Sequence, residues 1–178
     1  MPEEQSDAGR RIPDPGFAGD DGTGDPALRA ALGAYAADPA RQIDVLVALS
    51  AARLLVPVVA VLGEVEVDES GLAHDKTSDM ATALLTGRDG RQALLAFTGL
   101  DTLAAWRPDA RPVPVTAAVA ARSAIQEGAA ALVLDLAGPT SYAVEGQALE
   151  GLARGWALVR TDGGLAWTEP SPGPAAAE

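Results

Sequence analysis

The chain has 178 residues, of which 25 are acidic and 13 are lysine or arginine, giving a formal charge of −12, and it has no cysteine. That length suits one domain, and the absence of thiols excludes disulfides, cysteine nucleophiles and cysteine-ligated metals. The acidic balance opposes binding to nucleic acid or to an anionic membrane. The longest apolar run, Leu54 to Gly63, falls short of the roughly 20 residues that a membrane-crossing helix needs, so a cytoplasmic protein is expected.

Residues 1–24 are rich in Asp, Gly and Pro and lack periodicity, which predicts a disordered or loosely docked acidic arm. Phe17 in Gly16-Phe17-Ala18-Gly19 is a candidate anchor on the body. Asp25-Pro26 marks a helix start, followed by an apolar face of Leu28, Ala31, Leu32 and Tyr35. Asp38-Pro39 ends this helix, and Ile43, Leu46, Val47 and Leu49 predict a second. The run Arg53 to Leu62 predicts a strand, which Pro57 should confine to an edge or a bulge.

Glu64-Val65-Glu66-Val67 alternates as a half-exposed strand does, before a turn at Asp68-Glu69-Ser70-Gly71. Asp79 to Thr86 and Gln92 to Phe97 predict a hairpin closed by Gly87 to Arg91. Thr98 and Asp101 are spaced as a near capping box ahead of the helix Leu100 to Trp106. Pro112 to Val115 is extended, Ala117 to Glu127 is helical, and Ala131 to Leu136 is a buried strand. After Ser141 to Val144 and a short helix at Gln147 to Arg154, Thr161-Asp162-Gly163-Gly164 predicts a last hairpin with Trp156 and Trp167 on its strands. The tail from Pro170 is proline-rich and is expected to lack structure. These elements predict an α+β fold over 25–169: a mostly antiparallel sheet with helices packed on one face, two N-terminal helices and a C-terminal β-hairpin.

Several of these segments together resemble the SseB-like proteins of actinobacteria. They are Phe17 to Gly22 with Asp25-Pro26, Leu54 to Val58, Lys76 to Ala81, Ala96-Phe97-Thr98 and Ala131 to Asp135. The resemblance spans roughly residues 17–150. It implies an SseB N-terminal domain and supplies no catalytic residue.

The only lysine and the only histidine stand two residues apart, in His74-Asp75-Lys76-Thr77-Ser78-Asp79. Asp75-Lys76-Thr77 resembles the phosphorylation motif of P-type ATPases, yet that chemistry needs the aspartate at the end of a buried parallel strand, and here it follows a turn. Alternating residues on a strand project in parallel and cannot converge as a catalytic triad. The segment is therefore expected to be a solvated strand entry, with a contact surface as its functional alternative: His74, Asp75, Lys76, Ser78, Asp79 and Trp106. Gly19 to Asp25 lacks the ligand spacing of a calcium loop, and Asp25 is better used as a helix cap. Asp135 interrupts an apolar run, and backbone capping near Gly138 is its expected role.

No cofactor motif is present, so no cofactor and no enzyme activity are expected. The expected function is a non-catalytic, regulatory module acting on an unknown protein partner, with self-association through a sheet edge near Pro57 as a further route. The enzymatic or ligand-binding alternative requires Lys76, Asp79 and Asp135 to converge.

Overall fold

In a computed structural model, which describes residues 16–62, 78–162 and 164–169, the first helix α1 (Pro26–Ala37) begins where the sequence places it. The Asp25 carboxylate accepts the Leu28 N–H at 2.8 Å, and Pro26 takes the first helical position. Asp38 stops α1, and its side chain then opens a single 3₁₀ turn at Pro39–Arg41 by accepting the Ala40 N–H. Helix α2 (Gln42–Ser50) follows, burying Val45 and Leu49.

Strand β1 (Arg53–Leu62) is the organising strand. It pairs antiparallel with β2 (Ser78–Thr82) on one side and with β5 (Arg111–Thr116) on the other. A second sheet has the order β3 (Leu84–Thr86), β4 (Gln92–Ala96), β6 (Ala131–Leu134), β7 (Tyr142–Glu145), and only its β4–β6 pair is parallel. The two sheets meet at Ala83. Its N–H donates to Pro57 O at 3.2 Å while its carbonyl accepts the Leu95 N–H at 3.1 Å, and an isolated Leu55–Phe97 bridge continues the join.

The regular β1–β2 ladder stops at Val58–Thr82, and this junction places Pro57 beside it in the sheet interior and not at an edge. Its carbonyl faces β2–β3, so its missing N–H would have met the Ala83 carbonyl, and Leu95 serves that acceptor instead. On the other side Pro57 opposes Pro112 in a non-hydrogen-bonded register, so neither proline removes a β1–β5 bond. Pro57 itself is therefore not an edge position; the strand edge nearest to it is that of β2.

Alternation along the strands divides the core. Leu54, Val56, Leu94, Ala96, Leu132 and Leu134 face a large cluster with α1, α2, α4 (Ala117–Gln126) and α5 (Gly146–Ala153). Leu55, Leu95 and Phe97 face a smaller cluster closed by α3 (Leu100–Trp106), where Trp106 stacks on Phe97 at 5.4 Å between centroids. The fold is α+β, mostly antiparallel, and among the described residues only the short α3 lies on this second face. Hairpin β8 (Ala157–Thr161) and β9 (Gly164–Thr168) packs Trp167 over Gly151 of α5, where a Cβ would lie 2.8 Å from the indole.

Tyr142 supplies a pH-dependent element of this core. Its ring meets Tyr35 edge-on at 5.0 Å, and burial pushes its phenol above the ordinary tyrosine range. The folded state thus retains a proton that the unfolded chain releases near about pH 10. Stability is expected to fall as pH rises beyond that point. Urea midpoints measured on both sides of about pH 10 should show the decline in the wild type and a shallower one in Tyr142→Phe. Equal slopes would assign the decline to other groups.

Candidate functional site

The most developed polar site lies at the carboxyl ends of the parallel strands β4 and β6. Thr98, just past β4, donates its N–H to Asp135 Oδ1 and its hydroxyl to Oδ2, each at 2.8 Å. Asp135, just past β6, continues the parallel ladder through its own N–H to Ala96 O at 3.0 Å and then turns the chain at φ 48°. Aspartate tolerates this left-handed conformation better than most side chains. The residue is only 3% exposed. Gly138 completes the turn with an N–H to Asp135 O at 2.8 Å, and a Cβ there would lie 2.9 Å from Asp135 Cβ.

Residues 16–24 pack over this end of the sheet. Arg53 Nε and Nη2 bind the Asp20 carboxylate at 2.6 and 2.8 Å, Nη2 also reaches Thr23 O at 2.7 Å, and Nη1 reaches Thr98 O at 3.2 Å. Asp20 Oδ1 accepts the Gly22 N–H at 2.7 Å, and Gly22 O accepts the Leu100 N–H at 2.9 Å. Gly22, at φ 77°, holds a left-handed conformation that favours glycine, with the Leu100 side chain packed against it. Arg29 of α1 pairs with Asp101, and the hydrogen bond from this guanidinium holds the Asp101 carboxyl below its usual range.

Between these elements is a cavity of about 170 Å³ lined chiefly by Arg29, Leu32, Thr98, Thr102, Asp135 and Thr140. The expected capping of α3 is corrected. Gly99 is the N-cap, closed by a Thr102 hydroxyl bond to Gly99 O at 3.1 Å, because Thr98 is committed to Asp135 and Asp101 to Arg29. Asp135 caps a backbone amide as expected, but the amide is that of Thr98, not one beside Gly138.

His74, Asp75 and Lys76 lie outside the described residues. Ser78 and Asp79 stand on β2, where Asp79 opposes Val61. Trp106 is half-buried beside the cluster that includes Val59, whose register partner on β2 is Ala81, so it flanks the same ribbon. Asp79 and Asp135 do not converge. Val61 is six residues along β1 from Leu55, about 20 Å of strand, and it is Leu55 that bridges to Phe97 beside Thr98.

Arg29 and Arg53 went unrecognised in the sequence, since each is one arginine among many. The aspartates gave the better signal: Asp135 interrupts an apolar run, and Asp20 stands in a glycine-rich turn.

The family model described as SseB protein N-terminal domain matches residues 28–151. No curated protein and no solved structure shows significant similarity to the chain. Three of the segments that carry the resemblance meet at this one end of the sheet, through Asp20, Thr98 and Asp135.

Proposed function

Because the chain belongs to the SseB family, we propose that it is a non-catalytic module acting through protein–protein contacts, in which a partner strand adds to the outer edge of β2. The contact surface includes Ser78 and Asp79 on that edge, His74, Asp75 and Lys76 leading into it, and Trp106 beside it. This is a regulatory role in the cytoplasm, with a partner identified by its capacity to extend a sheet.

The observation that supports it is an asymmetry between the two edges of one sheet. Leu55 directs its N–H and C=O to Phe97, away from β5, so its register partner Pro114 points its nitrogen outward, and so does Pro112. The β5 edge therefore lacks outward donors at its centre, a common protection against strand addition. On β2 the alternation set by the Ala83–Pro57 bond turns Asp79 and Ala81 toward β1 and leaves Met80 and Thr82 with outward N–H groups. No described strand covers them.

Met80→Pro removes one outward donor without touching the β1 ladder. Affinity capture from native lysate should yield a discrete partner with the wild type and lose it with Met80→Pro, while circular dichroism shows the fold retained. Capture that is unchanged by Met80→Pro would refute strand addition at β2.

A further inference from the structure

We propose that the cavity at the ends of β4 and β6 is a binding site for a small ammonium compound of the amino-alcohol class, held by the carboxylate of Asp135. The site lies beyond the β2 surface and is independent of it.

The case begins with charge. Asp135 is a carboxylate almost wholly removed from water, yet no described arginine pairs with it: Arg29 is bound to Asp101 and Arg53 to Asp20. A buried charge ordinarily has an opposite charge beside it. Thr98 uses one acceptor position on each carboxylate oxygen, so each retains a second. An ammonium group supplies both the missing charge and donors for those positions. The net charge of −12 attracts a cation and repels an anion.

The rest of the cavity specifies the other end of the ligand. Thr140 lines it with a hydroxyl, and Arg29 contributes a guanidinium whose Nε is buried without an acceptor. These groups suit a ligand oxygen, while Leu32 and Pro139 suit a short methylene link. A volume of about 170 Å³ compares with a cavity of about 150 Å³ that accepts benzene, so about six non-hydrogen atoms fit.

Position and strain point the same way. Ligands of open sheets with parallel strands collect outside the carboxyl ends of those strands. Asp135 is the one non-glycine residue at positive φ among the described residues, and such conformations concentrate at ligand sites.

Ethanolamine is the probe. Titration calorimetry and thermal unfolding of the full chain should show saturable binding and a rising midpoint, with no response to acetate. Asp135→Asn keeps an acceptor for the Thr98 N–H and tolerates the left-handed backbone, but loses the charge, and should bind at least about tenfold more weakly. Thr140→Val, outside the Thr98–Asp135 pair, should weaken binding severalfold and decides the matter if Asp135→Asn fails to fold. Absence of saturable binding to the wild type, equal binding by Asp135→Asn, or an equal response to acetate would each overturn the proposal.

Discussion

Asp135→Ala is expected to destabilise the fold by about 3 kcal/mol, one of the larger single-residue effects in the molecule. Removing the carboxylate strands two buried donors of Thr98 at once, its N–H and its hydroxyl. It also places alanine at φ 48°, where aspartate and asparagine are better tolerated. Asp135→Asn should cost only about 1 kcal/mol, because the amide oxygen still accepts the Thr98 N–H and the Thr98 hydroxyl can reverse its role. Urea unfolding of the two variants separates these causes. A loss in Asp135→Asn as large as in Asp135→Ala would mean that charge, not hydrogen bonding, holds the two strand ends together.

The second large effect is expected at Arg53. Its guanidinium binds Asp20, Thr23 O and Thr98 O together, with the Arg53 and Asp20 side chains only 15% and 13% exposed. Breaking such a sheltered, multiply bonded pair should cost about 2–3 kcal/mol. The effect should be local as well as global. In Arg53→Ala, amide exchange is expected to accelerate at Gly22 and Leu100, whose N–H groups report on the docked segment. Arg29→Ala breaks an ion pair that is much more exposed, and its cost from that pair should stay within about 1 kcal/mol. If Arg53→Ala leaves both amides as protected as in the wild type, Arg53 does not hold residues 16–24 in place.

What the sequence showed, and what it hid, follows from the range of the forces involved. Helix starts and turns were legible because they are local: Asp25 caps α1 three residues ahead of its partner, and Gly128 at φ 71° follows α4. The turns of both hairpins were legible for the same reason, and the family assignment followed from the order of the segments. The single strand expected over Asp79 to Thr86 breaks at Ala83 into β2, paired with β1, and β3, paired with β4. Pro57 misled because an isolated sequence does not reveal that another strand, β4, takes the bond proline cannot make. On α2 the expected Leu49 is buried, but Val45 joins it in place of Ile43, Leu46 and Val47, since the surrounding elements and not the helix period alone choose which stripe is covered.

The polar site was half-legible. Asp135 announced itself by interrupting an apolar strand, whereas its partner Thr98 stands 37 residues away and passed as a helix cap. Arg53 and Asp20 are joined across 33 residues, a pairing that no local pattern encodes. Beside Asp135, the polar side chains that line the cavity are Arg29, Asp101 and three threonines, drawn from α1, α3 and the segments after β4 and β6.

Site-specific photo-cross-linking distinguishes the two edges of the sheet formed by β2, β1 and β5. A photoreactive side chain placed at Thr82 on the open β2 edge, and separately at Val113 on the proline-guarded β5 edge, samples the two sides of one sheet. In native lysate the Thr82 probe is expected to give a covalent adduct of discrete mass, and the Val113 probe none. A discrete adduct from Val113 with none from Thr82, or no adduct from either, would contradict a partner strand on β2.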